Sequence, residues 1–273
     1  MRARNLTLAA LALLSTGAAA DPALAKKKDD DKATAANASA EKPASKAERA
    51  HASSLDLLSQ ATFWTNEFNK NQSDAESAQK LSEILRQIGQ SDRAVEVANL
   101  ALGYRPTDKT LLLTLGRALI ESGQPDQALG VLQRAAQADP KDWRAPSAMG
   151  VAYDAMGRRQ DAQSAYGAAL LLKPNDATIL SNLGLSTALS GDLAKAAALL
   201  TQAADAPGAD AQVRQNLAVV LAMQGRYEEA QATAQRDLPP EIAAQNIAFV
   251  RSMNASGRRW DSLKTGLGLK AGG

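Results

Sequence analysis

Histidine is the residue type best suited to proton transfer near neutral pH, and this 273-residue chain contains one, His51. There is no cysteine. Neither a His-based nucleophilic triad nor a zinc site of His/Cys type can be assembled from that inventory. Asp29, Asp30 and Asp31 follow Lys26, Lys27 and Lys28, and so mixed a run reads as solvated charge rather than a metal site. No GxxxxGK[ST] loop is present to cradle a phosphate. Glu228 and Glu229 fall where a helix is expected to start, where negative charge complements the helix dipole. The residues offer no catalytic set, so the sequence predicts no enzyme, no cofactor and no metal.

The elements that carry these residues are read from a repeat. Windows of 34 residues fit without insertion at 75–108, 109–142, 143–176, 177–210 and 211–244. The eighth position is always small: Ser82, Gly116, Gly150, Gly184, Ala218. The fifteenth is always glycine (Gly89, Gly123, Gly157, Gly191, Gly225) and the twentieth always alanine (Ala94, Ala128, Ala162, Ala196, Ala230). Positions 4, 7, 8 and 11 share one face of a first helix, and positions 20, 24 and 27 one face of a second. Glycine at fifteen suits a helix end that turns through a left-handed residue. Small side chains at eight and twenty let the two helices approach. Pro106, Pro140, Pro174 and Pro207 stop the second helix. Each window is therefore a helix hairpin.

Alanine-rich composition without strand-type runs agrees with an all-α chain. The formal charge is +2, and basic and acidic residues are interspersed through the repeats, which excludes the basic face of a nucleic-acid binder.

The flanks have separate readings. Arg2 and Arg4, an apolar run from Leu6 to Leu14 and the small residues after it form the layout of a secretory signal peptide over residues 1–20. The run is too short to span a bilayer. Cleavage after Ala20 and after Ala25 both satisfy the small-residue rule, and the nearer site, Ala20, is preferred. Residues 21–46 have almost no large apolar side chains and are expected to be a disordered spacer. A capping helix is expected over 47–74, with Leu55, Leu58, Thr62 and Phe63 near one face and Trp64 and Phe68 beside it. Ile242, Ile247, Phe249 and Val250 predict a closing helix over 245–253. The glycine-rich residues 254–273 are expected to be a flexible tail, with Trp260 packing back or meeting a partner.

This column pattern resembles the tetratricopeptide repeat, a 34-residue helix–turn–helix unit. The resemblance implies an α-solenoid, a right-handed superhelix of hairpins in which stacked neighbours supply the core. It implies a concave groove lined by positions 2, 5, 6, 9, 12 and 13 of the first helices. In this chain those positions include Arg117, Arg144, Ser147, Val151, Asp154, Asn182, Leu185, Gln212, Asn216, Val219 and Met223. Asn182 and Asn216 share position six one repeat apart. Paired amide bonds to the backbone of an extended peptide are one reading of them; tying adjacent helices together is the other. The chaperone-binding type of these repeats holds a C-terminal carboxylate with a Lys/Asn/Lys/Arg clamp. Ser147, Val151, Gln212 and Asn216 stand at the corresponding places, so no clamp of that kind is implied.

A narrower likeness rests on "DWRAPSAMGVAYDAMGRRQDAQSAYGAAL", "ILSNLGLSTALSGDLAKAAALLTQAADAPGA" and "VRQNLAVVLAMQGRYEEAQATAQRDLPPEIAAQNIAFVRSM". Together with Trp260 these resemble the TadD family of the tight-adherence (Flp) pilus assembly system, over roughly residues 60–262. The likeness implies a non-catalytic periplasmic scaffold whose partners are pilus-assembly or secretin proteins, or an extended peptide segment of one. Many members of that family are lipoproteins, and this chain has no thiol to lipidate. Outer-membrane association would then go through a partner, with no direct membrane span. Without the narrower likeness, the same features describe a general cell-envelope interaction adaptor.

Overall fold

A computed structural model describes residues 42–255 of the chain. The expected signal peptide, Asp29–Asp31 and Trp260 lie outside the described residues. Among the described residues there are thirteen α-helices and no strand. Five hairpins follow one another: α3 (Ala75–Gln87) with α4 (Ser91–Tyr104), α5 (Lys109–Glu121) with α6 (Pro125–Ala138), α7 (Arg144–Ala155) with α8 (Arg159–Leu172), α9 (Ala177–Leu189) with α10 (Leu193–Asp205), and α11 (Ala211–Met223) with α12 (Tyr227–Ala234). They are preceded by α1 (Lys46–Ala52) and α2 (Leu57–Lys70) and followed by α13 (Pro240–Ala255). The fold is an all-α solenoid of tetratricopeptide-like hairpins, as the repeat predicts.

Each helix packs on its neighbours in the chain, and the first helices also pack on one another: α3 on α5, α5 on α7, α7 on α9, α9 on α11 and α11 on α13. The second helices make no such contact from unit to unit among the described residues. The first helices therefore line the inside of a curved stack, and the second helices fan out behind them.

Helix starts are set by a column the repeat reading overlooked. The last position of every window before the fifth is aspartate, and so is Asp74 before the first. Asp74, Asp108, Asp176 and Asp210 are the N-caps of α3, α5, α9 and α11, each carboxylate accepting from backbone N–H groups of the first turn. Asp142 is the exception. α7 begins two residues later, and the Asp142 carboxylate takes both the Arg144 N–H, at 2.9 Å, and its guanidinium.

At position fifteen all five glycines adopt positive φ, between 75° and 95°. The N–H of the following residue reaches back to the last turn, as from Gln90 to the Leu85 carbonyl at 2.7 Å and from Arg158 to that of Tyr153 at 2.9 Å. That six-to-one bond closes the helix, and a side chain at the left-handed position would strain it.

The ends depart from expectation. The sequence predicts one capping helix over 47–74; two helices occupy it. Ser54 Oγ donates to the His51 carbonyl at 2.7 Å, and Asp56 caps a new start at Leu58 and Ser59, so the chain breaks between α1 and α2. The buried face of α2 is Trp64 and Phe68, while Leu58 is 69% exposed. Residues at the end of the expected spacer are held: Ala44 N–H donates to Glu67 Oε2 at 2.8 Å. Arg49 ties α1 down through Glu67, Asp74 and Glu76, with its guanidinium over the Trp64 ring.

At the other end α12 has 8 residues where the other second helices have 13 or 14, and α13 starts at Pro240, inside the fifth window. Pro240 opens α13, where its missing N–H costs nothing. Ala243, Ile247 and Val250 are the buried residues of α13, and Phe249 is exposed. Arg214 and Asp237 replace apolar residues of the other units at positions 4 and 27. The guanidinium fork donates from Nε to Oδ2 at 2.6 Å and from Nη2 to Oδ1 at 2.5 Å.

Candidate functional site

The inner surface of α3, α5, α7 and α9 encloses a cavity of about 440 Å³. Of the groove residues predicted from sequence, Arg117, Arg144, Ser147, Val151 and Asn182 line it together. Other side chains that were not predicted join them, among them Glu83, Arg86, Glu121 and Trp143. Arg86 and Glu121 stand at inward positions of first helices, position twelve of the first unit and position thirteen of the second. Trp143 precedes α7 and is fixed by Lys173, whose Nζ lies 4.4 Å from the ring centroid.

Three successive first helices thus present one guanidinium each to the cavity, and their partners differ. Arg86 is bonded to Glu121, which also accepts from Ser91 Oγ at 3.3 Å. Arg144 forks onto its own Asp142, with Nε 2.8 Å from Oδ1 and Nη2 2.6 Å from Oδ2. These bonds hold the Asp142 carboxyl below, and the Arg144 guanidinium above, their ordinary values. Arg117 has no hydrogen bond or ion pair among the described residues. Burial first, then the like charges of Arg86 and Arg144, pull its pKa down to about 10. Arg86 Nε is also buried without an acceptor.

The remaining predicted residues are placed elsewhere. Asp154 is turned into the stack. Its carboxylate accepts from Arg159 Nη1 and Ser186 Oγ, both at 2.8 Å, and from Tyr166 OH at 3.1 Å. Burial nevertheless pushes its pKa up, against those three donors. It ties α7 to α8 and α9 and does not line the cavity. Gln212 Nε2 donates to Asn216 Oδ1 at 3.0 Å, and Asn216 Nδ2 to Ser181 Oγ at 3.1 Å. Asn216 therefore bridges α11 and α9, the second of its two sequence readings. Leu185 is buried, and Val219 and Met223 are half-buried; none of the three lines the cavity. His51 is exposed at the far N-terminal end.

Among the described residues, the arrangement holds polar and charged groups together in an open concavity. It suits recognition of another chain. The family model for the tetratricopeptide repeat matches residues 85–144, 119–183 and 188–241, more than half of the chain. The chain belongs to the tetratricopeptide repeat family. Proteins built of these repeats are protein-interaction scaffolds, and protein partners are expected of this one. A solved structure of PilW, described as a widely conserved type IV pilus biogenesis factor, superposes with a TM-score of 0.63 at 17% identity, over 74% of this chain and 94% of that one. A thermophilic tetratricopeptide repeat protein of Thermus thermophilus gives a TM-score of 0.57 at 21% identity, over 64% and 96% of the two chains. Both likenesses concern the fold. No curated protein matches the chain in sequence. Among the described residues, no helix is long and apolar enough to cross a membrane.

Proposed function

We propose that this tetratricopeptide repeat protein is a non-catalytic periplasmic scaffold that holds a partner polypeptide in its inner groove and assists assembly or secretion of a tight-adherence (Flp) pilus. The observation that carries the binding part is the cavity between α3 and α9, where guanidinium, amide, hydroxyl and indole groups converge on one concave face. Such a mixture of apolar surface with a few placed polar groups is what recognition of an extended segment needs.

The export part is supported by the signal-like residues 1–20, and the pilus part by the TadD-like run. The Asp237-Leu238-Pro239-Pro240 segment of that run is where the fifth unit departs from its neighbours: it ends α12 early, opens α13 and supplies the carboxylate that clamps Arg214. These residues have a local structural task that a generic repeat does not require. PilW, a pilus biogenesis factor, shares the fold; at 17% identity it adds nothing on the role.

Deleting the gene tests the proposal. The expected result is loss of surface pili with pilin still synthesised, and normal piliation would reject it. Fractionation together with the mass of the purified N-terminus tests export: a periplasmic protein beginning at Asp21 or Lys26 supports it, and a cytosolic protein that retains Met1 rejects it.

A further inference from the structure

We infer that Arg117 anchors a carboxylate subsite in the groove, so that the partner segment presents one acidic group, an Asp or Glu side chain or its C-terminal carboxylate, to the cavity between α3 and α7. The inference rests on the groove-binding reading above and adds the chemistry of what is bound. It does not use the places of the chaperone-type clamp, which carry Ser147, Val151, Gln212 and Asn216 here.

Arg117 is half-buried on the cavity wall, and a guanidinium partly withdrawn from water gains from an acceptor held against it. Arg86 and Arg144 have theirs, in Glu121 and Asp142. The remaining cavity carboxylate, Glu83, accepts from Gln79 at 2.9 Å and lies 3.9 Å from Lys80. Arg117 alone of the three cavity guanidiniums has no acceptor among the described residues, and the empty volume lies beside it. Burial and the two flanking guanidiniums weaken its hold on its own proton, the condition that an arriving anion relieves. The same wall keeps Arg86 Nε without an acceptor.

The charge balance specifies the ligand. Glu83 and Asp142 act on Arg117 only at a distance, so one guanidinium without a contacting partner leaves a place for one negative charge. Glu83 and Glu121 line the same cavity and oppose a phosphate dianion or a polyanion. A planar carboxylate also fits the fork of a guanidinium, while Trp143 and Val151 offer apolar surface to the residues on either side of it.

The test uses the full chain, immobilised, and three pools of N-acetylated dodecapeptides randomised in Ala, Leu, Val, Tyr and Ser. One pool has a central Glu and an amidated C-terminus, the second a central Gln and an amidated C-terminus, the third a central Gln and a free C-terminal carboxylate. Affinities of the retained peptides are read by Trp143 fluorescence, since that ring lines the cavity. The expected result is that one or both carboxylate pools bind about 10- to 100-fold tighter than the amide pool. In Arg117→Met that preference falls below about twofold while the amide pool binds as before, and the melting temperature does not fall, because Arg117 makes no hydrogen bond or ion pair among the described residues. Arg117→Gln should behave alike. Which carboxylate pool is favoured tells a side chain from a C-terminus. Equal binding of all three pools by the wild type overturns the inference and leaves the groove reading standing. Binding by none overturns both. A melting temperature that falls in both variants, with all pools weakened equally, assigns Arg117 a structural task and overturns the subsite alone.

Discussion

Gly150 of α7 lies flat against the ring of Tyr166 of α8: a Cβ built on the glycine would stand 2.5 Å from Cε1 and 2.7 Å from Cδ1. The same relationship recurs between Gly116 and Leu132 and between Gly184 and Leu200. Where position eight carries a side chain, as Ser82 and Ala218, position twenty-four is alanine, Ala98 and Ala234. Each hairpin thus fills the same space with one bulky residue from the second helix or two small ones from both.

Gly150→Ala should therefore destabilise the protein by about 1–3 kcal/mol in urea unfolding, because the ring cannot move without disturbing its bond to Asp154. Tyr166→Ala alone should cost about 3–5 kcal/mol through the cavity it leaves. The double variant restores the alanine pairing of the fifth unit, so its loss should fall short of the sum of the singles by more than about 0.5 kcal/mol. Strict additivity would refute the pairing of these positions.

Ala162 is fully buried at position twenty of the same hairpin. Ala162→Leu should overpack the crossing and lower stability by about 1–3 kcal/mol, seen as a lower urea midpoint. An unchanged midpoint would mean that α7 and α8 can spread apart freely.

The two position-six asparagines should separate. Asn216→Ala removes the bridge from α11 to Ser181 and should cost about 1 kcal/mol in chemical unfolding. Asn182 lines the cavity, and Asn182→Ala should weaken capture of the partner polypeptide while circular dichroism stays the same. Equal effects of the two substitutions on stability and on capture would contradict this division.

The Arg214 fork holds the Asp237 carboxyl below its ordinary value, with burial opposing. A carboxyl depressed on folding stabilises the folded state fully above its unfolded pKa of about 3.9, and that share is lost as the pH falls through the folded value. Asp237→Asn should thus be less stable than wild type at pH 5, and the gap between their urea midpoints should narrow below about pH 4. A gap that stays constant to pH 2.5 would dissociate the pair from stability.

The hairpins were legible because their signals are local. Glycine at fifteen states a backbone conformation, and proline states a stop. The aspartate that closes each of the first four windows is as visible, but its task, capping, is a matter of one oxygen and a few N–H groups rather than of apolar periodicity. At the ends, periodicity carried the reading too far. Nothing in the spacing of Leu55, Leu58 and Thr62 reveals that Asp56 restarts the helix, or that the fifth unit halts at Ala234. In the groove, position within a helix gave direction but not company. Asp154 and Arg117 both occupy inward columns; the first is met by three donors from neighbouring helices and the second by no acceptor among the described residues, and only the packed structure separates them.

The outer helices do not pack on one another from unit to unit; each is joined to the next unit only through that unit's inner helix. Flexing the array need break no contact between outer helices, since each can turn with the joint it makes on the next inner helix. A guest of the right thickness would act as a spacer, fixing a curvature that the empty protein leaves adjustable.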